Sequence, residues 1–173
     1  MLKEKNVSFE KNNNLSNILA DYPDAVAVVK GRSDFSGING IVRFYETDKG
    51  VLVATEVMGL PLGENSCKKP VFGFHIHSGS MCNGNNSDPF ANVGSHYNPY
   101  NCEHPYHAGD MPPLFENNGF AVSVFLTDRI TIEEIIGKTV IIHGGIDDFS
   151  TQPAGNAGIK IACGEIKKVK YKI

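Results

Sequence analysis

From Asp24 onward, apolar and polar positions alternate in short runs divided by turn residues, the two-residue period of strands whose faces see different surroundings. Residues 25–30 (AVAVVK) form one run. Residues 40–47 (GIVRFYET) form the next, with Ile41, Arg43 and Tyr45 on one face and Val42, Phe44 and Glu46 on the other. Asp48-Lys49-Gly50 turns the chain into residues 51–58, a hairpin with glycine where positive φ is tolerated. Further strands are predicted over 71–77, 120–127, 138–143 and 159–167, with a short helical turn or irregular crossover over 131–136. Two long loops interrupt them: 78–118, rich in Asn, Gly, Pro and His, and 144–158, which carries two adjacent aspartates. A structureless loop as long as the first is uncommon and normally has a functional or metal-ordered reason to exist. The pattern predicts an all-β fold: an eight-stranded Greek-key β-sandwich or barrel, an immunoglobulin-like sandwich with two long loops.

No internal repeat or linker divides the chain, and 173 residues suffice for one substantial core. The expected organisation is a polar, flexible N-terminal extension over 1–22 and one domain over 23–173. The extension is Asn-rich and reads as a mobile arm or as a helix docked weakly through Leu15, Ile18 and Leu19. Eighteen glycines and nine prolines without a strict period fit a turn-rich β protein. A formal charge of -3 offers no basic footprint, so no nucleic-acid partner is expected. No apolar run approaches the roughly 20 residues of a membrane span, and no membrane partner is expected. The N-terminus lacks the apolar core of a secretory signal, so the expected location is cytoplasmic, although a signal already removed leaves the same sequence. Cys67, Cys82, Cys102 and Cys163 are too few for a disulfide scaffold and not spaced as CxxC. Taken alone, they read as buried thiols as readily as anything else.

The histidines change the picture. His75-Ile76-His77 lies in a predicted strand, where alternation puts both imidazoles on one face, about 6–7 Å apart. Two such histidines are more often surface or core fillers than ligands. His104-Pro-Tyr-His107-Ala-Gly-Asp110 adds two imidazoles and a carboxylate within seven residues, the ligands expected for zinc without sulfur. His96 lies just upstream and completes a three-histidine, one-aspartate tetrahedral set. A bound metal contributes folding energy, which would explain an ordered loop of Gly and Asn. His143 ends a predicted strand, and Asp147 follows four residues later. Asp147 reads equally as an ordinary acidic turn with Asp148 or as a carboxylate accepting from the outer nitrogen of a ligating imidazole.

As a set, GFHIH (73–77), GSHYNP (94–99), HAGD (107–110), IIGKTVIIH (135–143), DD (147–148) and GNAGxxxACGxI (155–166) resemble the copper/zinc superoxide dismutases, in order, over about residues 24–168. The pattern is closer to bacterial members than to animal ones, with a short zinc loop. The resemblance implies copper and zinc as cofactors and superoxide as substrate, disproportionated to dioxygen and hydrogen peroxide. It implies His75, His77 and His143 as copper ligands, His96 as the ligand shared by both metals, and His104, His107 and Asp110 as the remaining zinc ligands. Asp147 then links His75 and His104 through their outer nitrogens, and Cys82 and Cys163 form an intrasubunit disulfide. His96 carries the proton used in turnover, and Lys160 stands where the family places an arginine that attracts the anion. A homodimer is left open.

Three departures from that pattern stand out. Lys160 keeps the positive charge but lacks the planar multi-donor fork of arginine, which predicts a weaker anion site. The second loop, GGIDDFSTQPAGNAG, lacks the Glu and Lys residues that help guide the anion in animal enzymes. Only Pro105 and Tyr106 separate His104 from His107, a compressed spacing that bears on zinc affinity. The competing readings are a non-catalytic zinc- or copper-holding relative and a generic interaction sandwich. The second leaves six histidines in one ligand pattern unexplained.

Overall fold

Residues 14–170 are described by the structure, a computed structural model. Its strands, in chain order, are β1 (Ala25–Gly31), β2 (Asn39–Thr47), β3 (Gly50–Met58), β4 (Val71–Phe72), β5 (Phe74–His77), β6 (Leu114–Phe115), β7 (Phe120–Thr127), β8 (Thr139–His143) and β9 (Lys160–Lys168). Two short helices, α1 (Leu15–Ala20) and α2 (Ile132–Ile135), complete the elements that matter here. Seven strands form one sheet in the order β5-β8-β9-β1-β2-β3-β7, all neighbours antiparallel, and β4 pairs with β6 in a second, two-stranded sheet. The non-sequential order is the Greek-key connectivity anticipated from the strand pattern.

Alternation explains how the large sheet curls around one core. Ala25, Ala27 and Val29 of β1, Val42 and Phe44 of β2, and Val53 and Val57 of β3 meet Phe74, Ile76, Val140, Ile142, Ala162 and Ile166 from the other end of the sheet. Each fully buried Val, Ile or Phe contributes about 1.5–3 kcal/mol, and none of the six histidines belongs to this cluster. The hairpin at Gly50 has the positive φ expected of it (121°).

The seven runs read from the sequence become nine strands among the described residues for two reasons. The run expected over 71–77 breaks at Gly73, and β6 lies inside the segment expected to be loop. A two-residue strand just after a Pro-Pro pair has too short a pattern to show periodicity. The helical turn expected over 131–136 is α2, closed by a capping box between Thr131 and Glu134. In α1, Ile18 packs on Tyr45, Leu52 and Ala54, on the sheet's outer surface, whereas Leu15 and Leu19 stay exposed. Residues 1–13 of the predicted extension lie outside the described residues. Among the described residues, no helix is long and apolar enough to cross a membrane.

Candidate metal centre

Alternation on β5 sends Phe74 and Ile76 into the core and turns His75 and His77 to the outer face. On β8 it does the same with Val140 and Ile142, leaving Ile141 and His143 outside, and the register pairs His75 with Ile141. Gly73 directly precedes β5 and pairs with the end of β8, its N–H donating to Gly145 O and its carbonyl accepting from His143 N–H (both 2.8 Å). A Cβ at Gly73 would stand 2.8 Å from Ala157 Cβ and 3.3–3.4 Å from His75 Cε1 and His143 Cβ. Glycine there lets the His75 and His143 rings approach to 4.9 Å between centroids.

The free edge of β5 docks the first long loop. Tyr97 N–H donates to Ile76 O, and Ile76 N–H to Gly109 O (2.8 Å each), while Ser78 N–H donates to Ser95 O (2.9 Å). These bonds carry His96 to a bridge with His77 and Asp110 to a bridge with His75. All six histidines converge, none more than 5% exposed.

Outer hydrogen bonds fix which ring nitrogen carries the proton in four of the imidazoles. His77 Nδ1 donates to Gly94 O (2.8 Å) and His143 Nδ1 to Gly158 O (3.2 Å), which leaves their Nε2 lone pairs facing each other at 3.3 Å. His75 and His104 donate from Nε2 to the two oxygens of Asp147 (2.6 and 2.8 Å), which leaves Nδ1 of each as the inward atom. Those two inward nitrogens, with His96 Nε2 and His107 Nδ1, are buried and have no hydrogen-bond partner. Buried polar atoms without partners are rare and need an explanation. His104 Nδ1 and His107 Nδ1 lie 3.0 and 3.3 Å from Asp110 Oδ2, and His96 Nδ1 lies 2.8 Å from Asp110 Oδ1.

The donors fall into two sets, each with all its ligand atoms within 4.8 Å of one another: His75, His77, His96 and His143; and His96, His104, His107 and Asp110. His96 belongs to both. A metal ion in each set answers the orphaned nitrogens, and outer-nitrogen contacts to a carboxylate or a carbonyl are the usual support for ligating imidazoles. Four imidazoles suit copper or zinc, and three imidazoles with a carboxylate suit zinc.

Burial keeps His75, His77 and His143 neutral and ready to ligate. It pushes His143 down to about 3, with His75, His96 and the Lys160 charge adding to it against the bond to Gly158. Burial likewise lowers His77 well below its ordinary value, and lowers His75 against the opposing bond to Asp147. Burial acts to raise Asp147, but hydrogen bonds from His75, Phe149 N–H and His104 outweigh it and hold the carboxyl well below its usual range. Asp110 is lowered in the same way, burial being overcome by His96 and the histidines around it.

Lys160 opens β9 directly across from His143. Its ammonium is paired with Asp88 and donates to Phe90 O (3.1 Å). Cys82 and Cys163 are disulfide-bonded, Cα–Cα 5.6 Å, in a small outer cluster with Phe90, Val93 and Ile141 that pins the first loop to β8 and β9. Cys67 and Cys102, which have no counterpart in the family pattern, are free thiols and both are exposed.

All six histidines, Asp110 and Asp147, singled out in the sequence, are in this centre, whereas the Asp148 carboxylate closes a turn with Ser150 and Thr151. Missing from that reading were the Gly94 and Gly158 carbonyls, which have no side-chain signal, and Asp88 and Gln152, whose contacts span 72 and 48 residues.

Comparison with known proteins agrees with this arrangement. The pattern that defines copper/zinc superoxide dismutase (SODC) matches residues 38–166. "Superoxide dismutase [Cu-Zn] 2" of Aquifex aeolicus (strain VF5) is 33% identical over 143 residues, 74% of this chain and 78% of that one. The Escherichia coli (strain K12) "Superoxide dismutase [Cu-Zn]" is 35% identical over 142 residues, with the same 74% and 78% coverage. A Xenopus laevis relative, "Superoxide dismutase [Cu-Zn] A", is 32% identical over 158 residues, covering 82% of this chain and 95% of its own. With two donor sets sharing one histidine on a Greek-key barrel and a family pattern spanning most of the domain, the chain belongs to the copper/zinc superoxide dismutases.

Proposed function

We propose that this protein is a superoxide dismutase that holds copper at His75, His77, His96 and His143 and zinc at His96, His104, His107 and Asp110. The observation that carries this reading is the tautomer pattern: wherever the structure gives an outer nitrogen a protein partner, the inner one points into a donor set. The net reaction takes two superoxide ions and two protons to one dioxygen and one hydrogen peroxide. When bound, copper supplies a one-electron couple and zinc a positive charge without redox chemistry.

The chain's own residues do the rest. Burial and the bonds to Gly94 O, Gly158 O and Asp147 hold His77, His143 and His75 neutral and oriented. His96 Nε2 has no protein acceptor or donor competing for it, so it can hold a proton and give it to the reduced oxygen species. Lys160 supplies positive charge beside His143 in a chain of net charge -3, where an anionic substrate otherwise meets repulsion.

The test is metal analysis and a superoxide assay on one copper- and zinc-loaded sample. The expected result is one copper and one zinc per chain with superoxide loss far above the spontaneous rate. Background loss in fully metallated protein overturns the enzyme reading and leaves a metal-holding relative.

A further inference from the structure

Gln152 is the residue whose position calls for an explanation. The compressed His104-Pro-Tyr-His107 spacing leaves the chain little slack to aim two imidazoles at one ion, and the segment is a run of tight turns. Tyr106 N–H donates to Glu103 O (2.8 Å), and His107 N–H donates to Asp110 Oδ2 (3.1 Å). The main-chain N–H and C=O of His104 have partners in neither a strand nor a turn. Both are taken by one side chain: His104 N–H donates to Gln152 Oε1 (2.9 Å), and Gln152 Nε2 donates to His104 O (2.7 Å).

The loop that presents Gln152 is closed on itself. Asp148 N–H donates to Gly155 O (2.9 Å) and Gly155 N–H to Thr151 O (2.7 Å). The Asp148 carboxylate accepts from Ser150 N–H (2.9 Å), Thr151 N–H (2.7 Å) and Thr151 Oγ1 (2.6 Å). Gly155 packs against the site so closely that a Cβ there would fall 2.0 Å from Asp147 Oδ1 and 2.6 Å from His104 Nε2. One loop therefore grips His104 at three places: the ring through Asp147, the ring edge through the bare Gly155 backbone, and the peptide through Gln152. Two residues upstream, Asn98 takes both main-chain groups of Cys102 in the same bidentate fashion (2.8 and 2.9 Å).

We infer that Gln152 is a positioning residue for the zinc set: it replaces with a two-point clamp the slack that the short spacing removes. The inference rests on the reading that His96, His104, His107 and Asp110 hold zinc. A clamp built from one neutral side chain sets the position of His104 without adding charge to the site. It also couples the second loop to the first, so that zinc binding orders both.

The test compares the full-length wild type with Gln152→Ala and Gln152→Met, the second keeping the volume but neither hydrogen bond. Zinc affinity is measured by chelator competition, and the visible spectrum of cobalt(II) placed in the zinc set reports its geometry. Both variants are expected to lose about 10–100-fold in zinc affinity, as for other residues that orient a ligating histidine. Their cobalt spectra are expected to shift, with metal-free melting temperature and copper affinity close to wild type. Wild-type zinc affinity with an unchanged cobalt spectrum in Gln152→Met overturns the inference. So does a metal-free melting temperature that falls in step with affinity, which makes the residue merely structural. Failure of the underlying reading looks different: His107→Ala then leaves zinc affinity unchanged.

Discussion

The two halves of the metal centre are built from different materials. His75, His77 and His143 stand on β5 and β8, adjacent strands of the barrel sheet, so backbone ladders and a packed core set their positions. His104, His107 and Asp110 stand on a loop and are aimed by side chains: Asp147, Gln152 and the loop's own turns. A ligand on a strand inherits the stability of the fold, whereas a ligand on a loop inherits that of a few hydrogen bonds. The strand-borne set should therefore be indifferent to damage in the loop-borne set, and the loop-borne set sensitive to changes several residues away.

The sharpest break in that comparison is His143→Ala. It removes one of the three strand-borne donors and leaves His96, His104, His107 and Asp110 in place. Dismutation by the copper- and zinc-loaded variant is expected at the spontaneous rate. Zinc affinity by chelator competition is expected to stay within about threefold of wild type, because no zinc-set donor or clamp is lost. A large fall in zinc affinity would mean that the halves fold as one unit, and the contrast would fail.

Asp147→Asn probes the residue that the halves share. Its two oxygens accept from His75 and His104, and an amide offers one acceptor and one donor where two acceptors are needed. The expected result is a loss of about 10–100-fold in zinc affinity, with a smaller loss for copper. His75 keeps its ladder bonds to β8 without the carboxylate, but His104 keeps only the Gln152 clamp on its backbone. Equal losses at the two metals would erase the distinction between strand-held and loop-held ligands.

The same contrast governs how much of the centre is legible in the sequence. Strand-borne ligands are legible because a period of two fixes the face: His75 and His77 share a side once Phe74 and Ile76 are placed in the core. The Greek-key class followed from the same pattern, and β6 escaped because two residues cannot show a period. The loop-borne ligands were legible as residue types and as one four-donor set, but how the chain aims them was not, because the spacing of His104 and His107 gives no direction to either ring. Gln152 carried no signal at all. Its partner lies 48 residues away, and a glutamine in a polar loop looks like any other. Asp88 is the same case beside the strand-borne set, where its partner Lys160 lies 72 residues away.

The smallest expected effect concerns that residue. Lys160 faces the strand-borne set across the β8–β9 ladder, yet its ammonium is paired with Asp88. The Lys160 side chain is 20% exposed and that of Asp88 41%, so the pair is partly screened and contributes little to stability. Its consequence is electrostatic, because a carboxylate beside the cation cancels much of the positive potential an anion meets. Asp88→Asn keeps a hydrogen-bonding side chain while deleting that negative charge. The rate constant for superoxide loss is expected to rise about two- to fivefold at low ionic strength, with the gain fading as salt reaches about 0.1 M and the screening length shrinks to about 10 Å. Zinc affinity should not move, since nothing in the loop-borne set touches Asp88. A rate that falls instead, at every salt concentration, would show that Asp88 aims the lysine rather than muting it. The copper half would then also depend on a loop-borne side chain, which narrows the contrast between the two sets to the positions of the ligands themselves.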